Sequence, residues 1–136
     1  MQIIEQVDKP LPLTNDGRLA LFFLGTGSAF ASAHFQTNLL LIKGDTHVLV
    51  DCGMTGPMAL RQTAGLEPTD IEVFLPTHSH ADHVGGAECL SLMNRYVGQR
   101  FLNKPKLKII ITEQYQQILW EQTLRGGLAY NEVDTD

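Results

Sequence analysis

Thr77-His78-Ser79-His80-Ala81-Asp82-His83 is the stretch from which the fold and the chemistry of this sequence can be inferred. It holds three of the five histidines of the chain and one carboxylate. The apolar run 71–75 before it is typical of a buried strand, and the residues from His83 onward are typical of a helix. Side chains two positions apart on extended backbone point the same way, so we expect His78 and His80 to share one side. We call residues 77–83 the histidine turn.

The residue types in the histidine turn point to metal binding. Neutral imidazole and carboxylate are common zinc ligands, at about 2.0–2.2 Å from the ion. His78 and His80 can face one point, and the adjacent Asp82 and His83 can face a neighbouring one. This pattern predicts two metal ions about 3.5–4 Å apart, which could clamp the attacking and leaving oxygens of a displacement. A solvated histidine-rich loop is the alternative. The position after a strand and the following Gly85-Gly86 favour the metal site.

The spacing His78-x-His80-x-Asp82-His83 resembles the HxHxDH signature of the metallo-β-lactamase superfamily. The resemblance implies an αββα sandwich, of which this α/β (α+β) chain would form a βα half. It implies that His78 and His80 bind the first metal and that Asp82 and His83 bind the second. A water or hydroxide between the ions would be the nucleophile, and Asp82 would be catalytic by orienting it. Oxygen-reducing diiron members carry glutamate where this chain has His80, so the resemblance implies a hydrolase with two divalent ions, zinc or else manganese.

Two flanking segments resemble the phosphodiesterase branch of the same superfamily. They are residues 23–29 (Phe-Leu-Gly-Thr-Gly-Ser-Ala) and residues 50–53 (Val-Asp-Cys-Gly). This ribonuclease Z-like branch includes tRNA 3′-processing ribonucleases and cyclic-nucleotide phosphodiesterases. The resemblance implies that Asp51 hydrogen-bonds a ligand histidine and fixes its tautomer, and it makes Ser28 a candidate substrate-binding residue. A turn-capping aspartate and a simple strand-to-loop turn are the alternatives for these two segments.

The activity implied is metal-dependent hydrolysis of a phosphodiester bond in a small nucleotide, a cyclic nucleotide or RNA. The tRNA-processing branch usually has glycine at the position of Ala81 and a different residue at that of Ser79, which favours the smaller substrates. Hydrolysis of a thioester, lactone or β-lactam at the same site is a second hypothesis. A half-domain without catalysis, which binds only a metal or a partner, is a third.

The composition predicts one packed domain over residues 1–136. The chain is 43% hydrophobic and 18% charged, and this length is typical of a single domain. The net charge of −5 argues against a general binder of long nucleic acid, although residues 95–125 carry six basic side chains against two acidic ones. The predicted strands cover residues 19–24, 38–43, 47–51, 71–75 and 107–111, and the predicted helices cover residues 57–64 and 83–97 and a segment from Tyr115 that ends at Gly126-Gly127.

The sequence also bears on location. It has neither a run of 18 apolar residues nor a signal-peptide pattern at its start. Its two cysteines, Cys52 and Cys89, are too few for a disulfide framework. We therefore expect a cytoplasmic protein that does not contact a membrane.

The resemblance leaves ligands unaccounted for. A complete site in the superfamily takes a further histidine, a bridging aspartate and another histidine from the second half of the fold. No histidine follows His83 in this sequence. We therefore expect the N-terminal half of the complete fold. The chain would be a fragment or split-gene product, would pair with a second-half polypeptide or form a homo-oligomer, or would be a reduced half-domain.

Overall fold

A single five-stranded sheet forms the centre of the computed structural model, which describes residue 3 and residues 9–131. The strand order follows the chain. The bounds agree with the predicted strands, except that the last two strands are shorter. The strands are β1 (Ala20–Gly25), β2 (Asn38–Lys43), β3 (Thr46–Val50), β4 (Val73–Leu75) and β5 (Lys108–Ile109).

The strand directions bring several loops to one edge of the sheet. β1, β2 and β3 pair antiparallel, and β3, β4 and β5 pair parallel. The tight turn between β2 and β3 uses Gly44 at a φ of 59°, where glycine has no steric penalty. Because β1, β3, β4 and β5 all run the same way, their carboxyl ends meet at one edge, which we call the carboxyl edge.

Helical segments cover one face of the sheet. The first, α1 (Gly56–Ala59), continues into π-helical turns at Leu60–Ala64, and a 3₁₀ turn (Pro68–Asp70) precedes β4. The segment after the histidine turn consists of α2 (Ala81–Val84), α3 (Ala87–Met93), π-helical turns (Asn94–Gln99) and α4 (Arg100–Leu102). The last consists of α5 (Glu113–Leu119), π-helical turns (Trp120–Leu124), α6 (Arg125–Leu128) and a 3₁₀ turn (Ala129–Asn131).

Two helix predictions are corrected by the structure. The helix predicted over 83–97 is interrupted at Gly85-Gly86. Gly86 packs closely there, since a Cβ on it would lie 2.5 Å from the carbonyl oxygen of Gly53. The prediction that Gly126-Gly127 ends the last helix is wrong, since α6 runs through both. Gly127 instead allows close packing, because a Cβ there would lie about 2.1 Å from Oε2 of Glu88.

The two faces of the sheet differ in burial although both are apolar. The row Phe22, Leu40, Leu49 and Phe74 faces the helices, and the last three of these side chains are at most 1% exposed. The opposite face remains partly exposed, with Leu21 55% and Phe23 51% accessible. This opposite face, which we call the open face, also carries the apolar side chains of Leu39, Leu41, Val48, Val50, Val73 and Leu75.

Of the helices in the described residues, none is long and apolar enough to cross a membrane.

Candidate functional site

The segments singled out from the sequence meet at the carboxyl edge. Asp51 directly follows β3, and the histidine turn starts two residues after β4. The parallel register pairs Val50 with Leu75, and the Asp51 N–H extends this pairing by donating to the Leu75 carbonyl at 3.0 Å. Residues 51 and 77 are therefore brought together by the sheet, although 26 positions separate them in the sequence.

His78 and His80 form the first donor pair of the site. Nε2 of His78 lies 3.1 Å from Nδ1 of His80, and the two rings meet edge to face with centroids 4.6 Å apart. The other ring nitrogen of His78, Nδ1, lies 3.0 Å from the Thr77 hydroxyl. In this arrangement the two histidines share one side, as the sequence predicts.

Asp82 and His83 form the second donor pair. Both lie in the short helix α2, where Oδ2 of Asp82 is 3.3 Å from Nε2 of His83. The ring centroids of His78 and His83 are 4.0 Å apart, so the second pair adjoins the first. Backbone hydrogen bonds from Cys52 N–H to His83 carbonyl, 2.7 Å, and from Met54 N–H to Ala81 carbonyl, 3.2 Å, hold α2 against the turn that follows β3.

The carboxylate of Asp51 links the histidine turn to the sheet. It is only 6% exposed. The backbone N–H and the hydroxyl of Thr77 donate to its Oδ1 at 2.8 and 3.0 Å. Its Oδ2 lies 2.7 Å from Nδ1 of His83. A carboxylate only accepts, so Nδ1 of neutral His83 is the donor and its Nε2 carries the lone pair. This leaves Nε2, the atom facing Asp82, able to bind a metal.

The donor set fits divalent metal ions in pairs. Two ligand atoms at about 2.0–2.2 Å from one tetrahedral ion lie about 3.3–3.6 Å apart. The observed separations of 3.1 Å (His78 to His80) and 3.3 Å (Asp82 to His83) are close to this spacing. In residue 3 and residues 9–131, no group of three or more His, Cys, Asp or Glu side chains could hold an ion. Each pair would therefore need ligands from elsewhere.

Gln36 and Asn38 support the site, and the sequence analysis did not single them out. Both side chains are at most 3% exposed. Asn38 Oδ1 accepts from the Gly53 N–H at 2.7 Å, and Gln36 Oε1 accepts from the Thr55 N–H at 3.2 Å. The Nε2 of Gln36 also donates to the Ala29 carbonyl at 3.2 Å. The signal in the sequence is a pair of amides directly before the apolar run of β2, where a buried amide needs partners.

The segment after β1 lies beside this network. A Cβ on Gly25 would lie 2.4 Å from the Gln36 carbonyl oxygen, so only glycine fits there. Ser28 is exposed, and its carbonyl accepts from the Ala31 N–H at 3.1 Å. The role of Ser28 in substrate binding stays a prediction.

Other side chains with reactive chemistry lie apart from the donor pairs or are buried. His47, 7% exposed, accepts the Glu72 N–H at Nε2 over 3.1 Å, near the opposite edge of the sheet. His34 is exposed on the loop after β1. Cys52 is fully buried, and burial raises the pKa of its thiol to about 12, so it is not a nucleophile at neutral pH.

Comparison with known proteins identifies the family. A family model described as "Anti-Pycsar protein Apyc1" matches residues 19–136, which is most of the chain and includes every residue of the two donor pairs. The chain belongs to this family. Apyc1 relatives occur in bacteria and in phages. One from Paenibacillus sp. (strain J14) is 45% identical over 115 residues, which is 85% of this chain and 44% of the relative. One from Bacillus phage BSP38 is 34% identical over 114 residues, 83% of this chain and 43% of the relative.

The chain thus spans less than half the length of these Apyc1 relatives. Among solved structures, it is similar to human tRNase Z, short form, with a TM-score of 0.60 and 21% sequence identity. The match covers 84% of this chain and 41% of the tRNase Z chain. The predicted α/β fold class, with a metallo-β-lactamase-like sheet and helices, is confirmed by this similarity. The metal ligands, and the assignment of the chain to an N-terminal half, stay predictions.

Proposed function

We propose that this Apyc1 family chain carries half of the active site of a metal-dependent hydrolase that cleaves a phosphodiester bond in a small nucleotide, cyclic nucleotides included. The observation that carries the proposal is the meeting of two donor pairs at the carboxyl edge, with His78 Nε2 3.1 Å from His80 Nδ1 and His83 Nε2 3.3 Å from Asp82 Oδ2. Ligands in open sheets with parallel strands bind outside the carboxyl ends of those strands.

Two divalent ions, zinc or else manganese, are part of the proposal. His78 and His80 would hold one ion, and Asp82 and His83 would hold the other. When bound, such ions lower the pKa of a coordinated water and withdraw charge from phosphoryl oxygens.

The residues of the chain prepare the donor atoms for this task. Asp51 accepts the Nδ1 proton of His83 over 2.7 Å, and this fixes the tautomer with a lone pair on Nε2. The Thr77 hydroxyl, which donates to Asp51 at 2.9 Å, can accept from Nδ1 of His78 at 3.0 Å. Nε2 of His78 then carries the lone pair. Asp82 is acceptor-only when ionised, so it can accept a hydrogen bond from the attacking water and orient it.

The substrate class rests on four observations. The fold neighbour is by its name a nuclease of transfer RNA, and nucleases hydrolyse phosphodiester bonds. The segments at residues 23–29 and 50–53 resemble the phosphodiesterase branch, and both border the carboxyl edge. The net charge of −5 disfavours a long polyanion as substrate, and the departures at Ser79 and Ala81 disfavour transfer RNA. A small phosphodiester satisfies all of these conditions.

The proposal includes a complementary polypeptide. The open face of the sheet exposes Leu21 and Phe23 by about half and continues across the sheet in apolar side chains. Contiguous exposed apolar surface is a feature of interaction sites. We propose that a second sheet, contributed by a second-half polypeptide, covers this face and brings the missing ligands, with a homo-oligomer as the competing arrangement.

Free thiols at Cys52 and Cys89 support a location in the cytoplasm.

The test combines metal analysis with a panel of substrates. The full chain with its complementary polypeptide should bind about two zinc or manganese ions per site and cleave bis(4-nitrophenyl) phosphate and a cyclic nucleotide. Full metal loading without cleavage of any phosphodiester would overturn the proposal. Faster cleavage of a thioester, lactone or β-lactam would replace it with hydrolysis of another bond. At most one weakly held ion, with no turnover, would select a non-catalytic half-domain.

A further inference from the structure

Tyr115 lies in α5 and contacts the histidine turn. The proposed chemistry gives α5 no role. Its hydroxyl accepts from Ser79 Oγ at 3.1 Å, across 36 positions of sequence. Ser79 stands between the first two histidines of the turn. Nε2 of His78 lies 3.1 Å from Nδ1 of His80, while the Ser79 hydroxyl donates a hydrogen bond to the Tyr115 hydroxyl. This tyrosine is thus hydrogen-bonded to Ser79, the residue between two proposed metal ligands.

The fold delivers Tyr115 to this point for a definite reason. β5 runs parallel to β4, and the Ile110 N–H donates to the Phe74 carbonyl at 2.9 Å. The chain therefore leaves β5 at the same edge as the histidine turn. Thr112 then caps α5 by accepting the Tyr115 N–H at 3.3 Å. This cap places Tyr115 in the first turn of α5, next to the carboxyl edge.

Tyr115 is anchored well enough to act as a fixed support. Its ring is half-buried and packs against the apolar core. The histidine turn, in contrast, is only partly enclosed, since Ser79 is half-buried and His80 is exposed. A hydrogen bond donated by this turn to a packed aromatic side chain limits the orientations that the turn can adopt. Groups that orient metal ligands raise metal affinity in this way.

We propose that Tyr115 is a positioning residue, which acts through Ser79 to hold His78 and His80 in register for one divalent ion. The inference rests on the proposed metal site and adds α5 to the elements that build it. Tyr115 touches neither the ion nor the substrate in this account. Its contribution is to the affinity for the ion bound by the first donor pair.

The experiment compares Tyr115→Phe and Ser79→Ala in the full chain with its complementary polypeptide, singly and together, by titration with Zn²⁺ and by the absorption spectrum of bound Co²⁺. Both changes remove the same hydrogen bond and keep the ring packing. We expect each to weaken ion binding by about 3- to 10-fold, and the double variant to be no weaker than the single ones. Tyr96→Phe is the matched control, because the Tyr96 hydroxyl donates to Asn131 at 2.8 Å, away from the histidine turn.

Three results would overturn the inference, and they have different meanings. If the unmodified chain binds Zn²⁺ and both single variants bind it equally well, Tyr115 has no positioning role, while the metal site stands. If the unmodified chain with its complementary polypeptide binds neither ion, the proposed function fails and the inference fails with it. Additive losses in the double variant would also contradict action through Ser79. Thermal unfolding of all variants identifies any loss due to general destabilisation.

Discussion

The Oδ2 oxygen of Asp51 lies 2.7 Å from Nδ1 of His83, which makes this aspartate the link between the end of β3 and the second donor pair. Asp51 has a φ of 59°, a left-handed conformation that is more accessible to Asp and Asn than to most residues. The carboxylate is buried and stands between Thr77, whose N–H donates to it, and the imidazole of His83.

Asp51→Asn should therefore reduce metal binding without unfolding the chain. Asparagine tolerates the same backbone, but if its oxygen keeps the Thr77 N–H, its amide group faces Nδ1 of His83 as a donor. His83 would then carry its proton on Nε2 and lose the lone pair for the metal. We expect a 10- to 100-fold loss of metal affinity, measured by Zn²⁺ titration.

Asp70→Asn is the control for Asp51→Asn, because the Asp70 carboxylate accepts the Glu67 N–H at 2.9 Å far from the site. The control should bind metal normally. Equal affinity in Asp51→Asn and the unmodified chain would contradict the role given to Asp51.

Asp82→Ala should abolish hydrolysis and weaken binding of the second ion, with little loss of stability. The Asp82 side chain lies 3.3 Å from His83 Nε2, while the backbone of α2 is held independently by the Cys52 and Met54 N–H groups. Phosphodiester cleavage, metal content and the thermal midpoint test the three statements. Turnover like that of the unmodified chain would contradict the assignment of Asp82.

Gly53→Ala should destabilise the chain and disturb the site together. A Cβ at Gly53 would lie 2.2 Å from the Asp82 carbonyl oxygen and 2.6 Å from Oε1 of Gln36. One of these groups must move, and we expect a loss of about 1–3 kcal/mol in the free energy of unfolding, measured by urea denaturation.

The matched control for Gly53→Ala is Gly126→Ala, which sits in α6 with nothing within 4 Å of the new Cβ. It should be neutral or stabilising by about 0.5–1 kcal/mol, because alanine favours helix. Equal stability of the two variants would show that the packing around Gly53 can adjust.

The stability of the chain should fall on mild acidification because of His47. Burial lowers the pKa of this imidazole below its ordinary value of 6.5. As the pH falls below about 6.5, the unfolded chain takes up the proton first, so the free energy of unfolding decreases until the folded pKa is passed. His47→Gln keeps an acceptor for the Glu72 N–H and should show a shallower dependence between about pH 7.5 and 5.5.

The control for His47→Gln is His34→Gln, whose parent side chain is exposed. It should keep the pH dependence of the unmodified chain. If denaturation at several pH values gives the same slope for His47→Gln and His34→Gln, the effect does not come from His47.

The sequence by itself determined the local features of this protein. Short apolar runs bounded by turn residues predict strands, and the side-chain period of two in extended backbone places His78 and His80 together. Packing at glycines could not be predicted in this way. Gly126-Gly127 has the sequence of a helix end, yet α6 passes through it, and Gly127 packs against the Glu88 side chain.

Only the tertiary structure decided which distant residues support the histidine turn. Asp51 was proposed from resemblance, but its contact with His83 across 32 positions depends on the parallel pairing of β3 with β4. Gln36 is signalled only as one of two amides before an apolar run, and Tyr115 has no such signal, since an amide or a tyrosine becomes part of a site only when another segment is packed against it. Sequence patterns encode periodicity along one segment, whereas contacts between segments depend on how the strands pair and the helices pack.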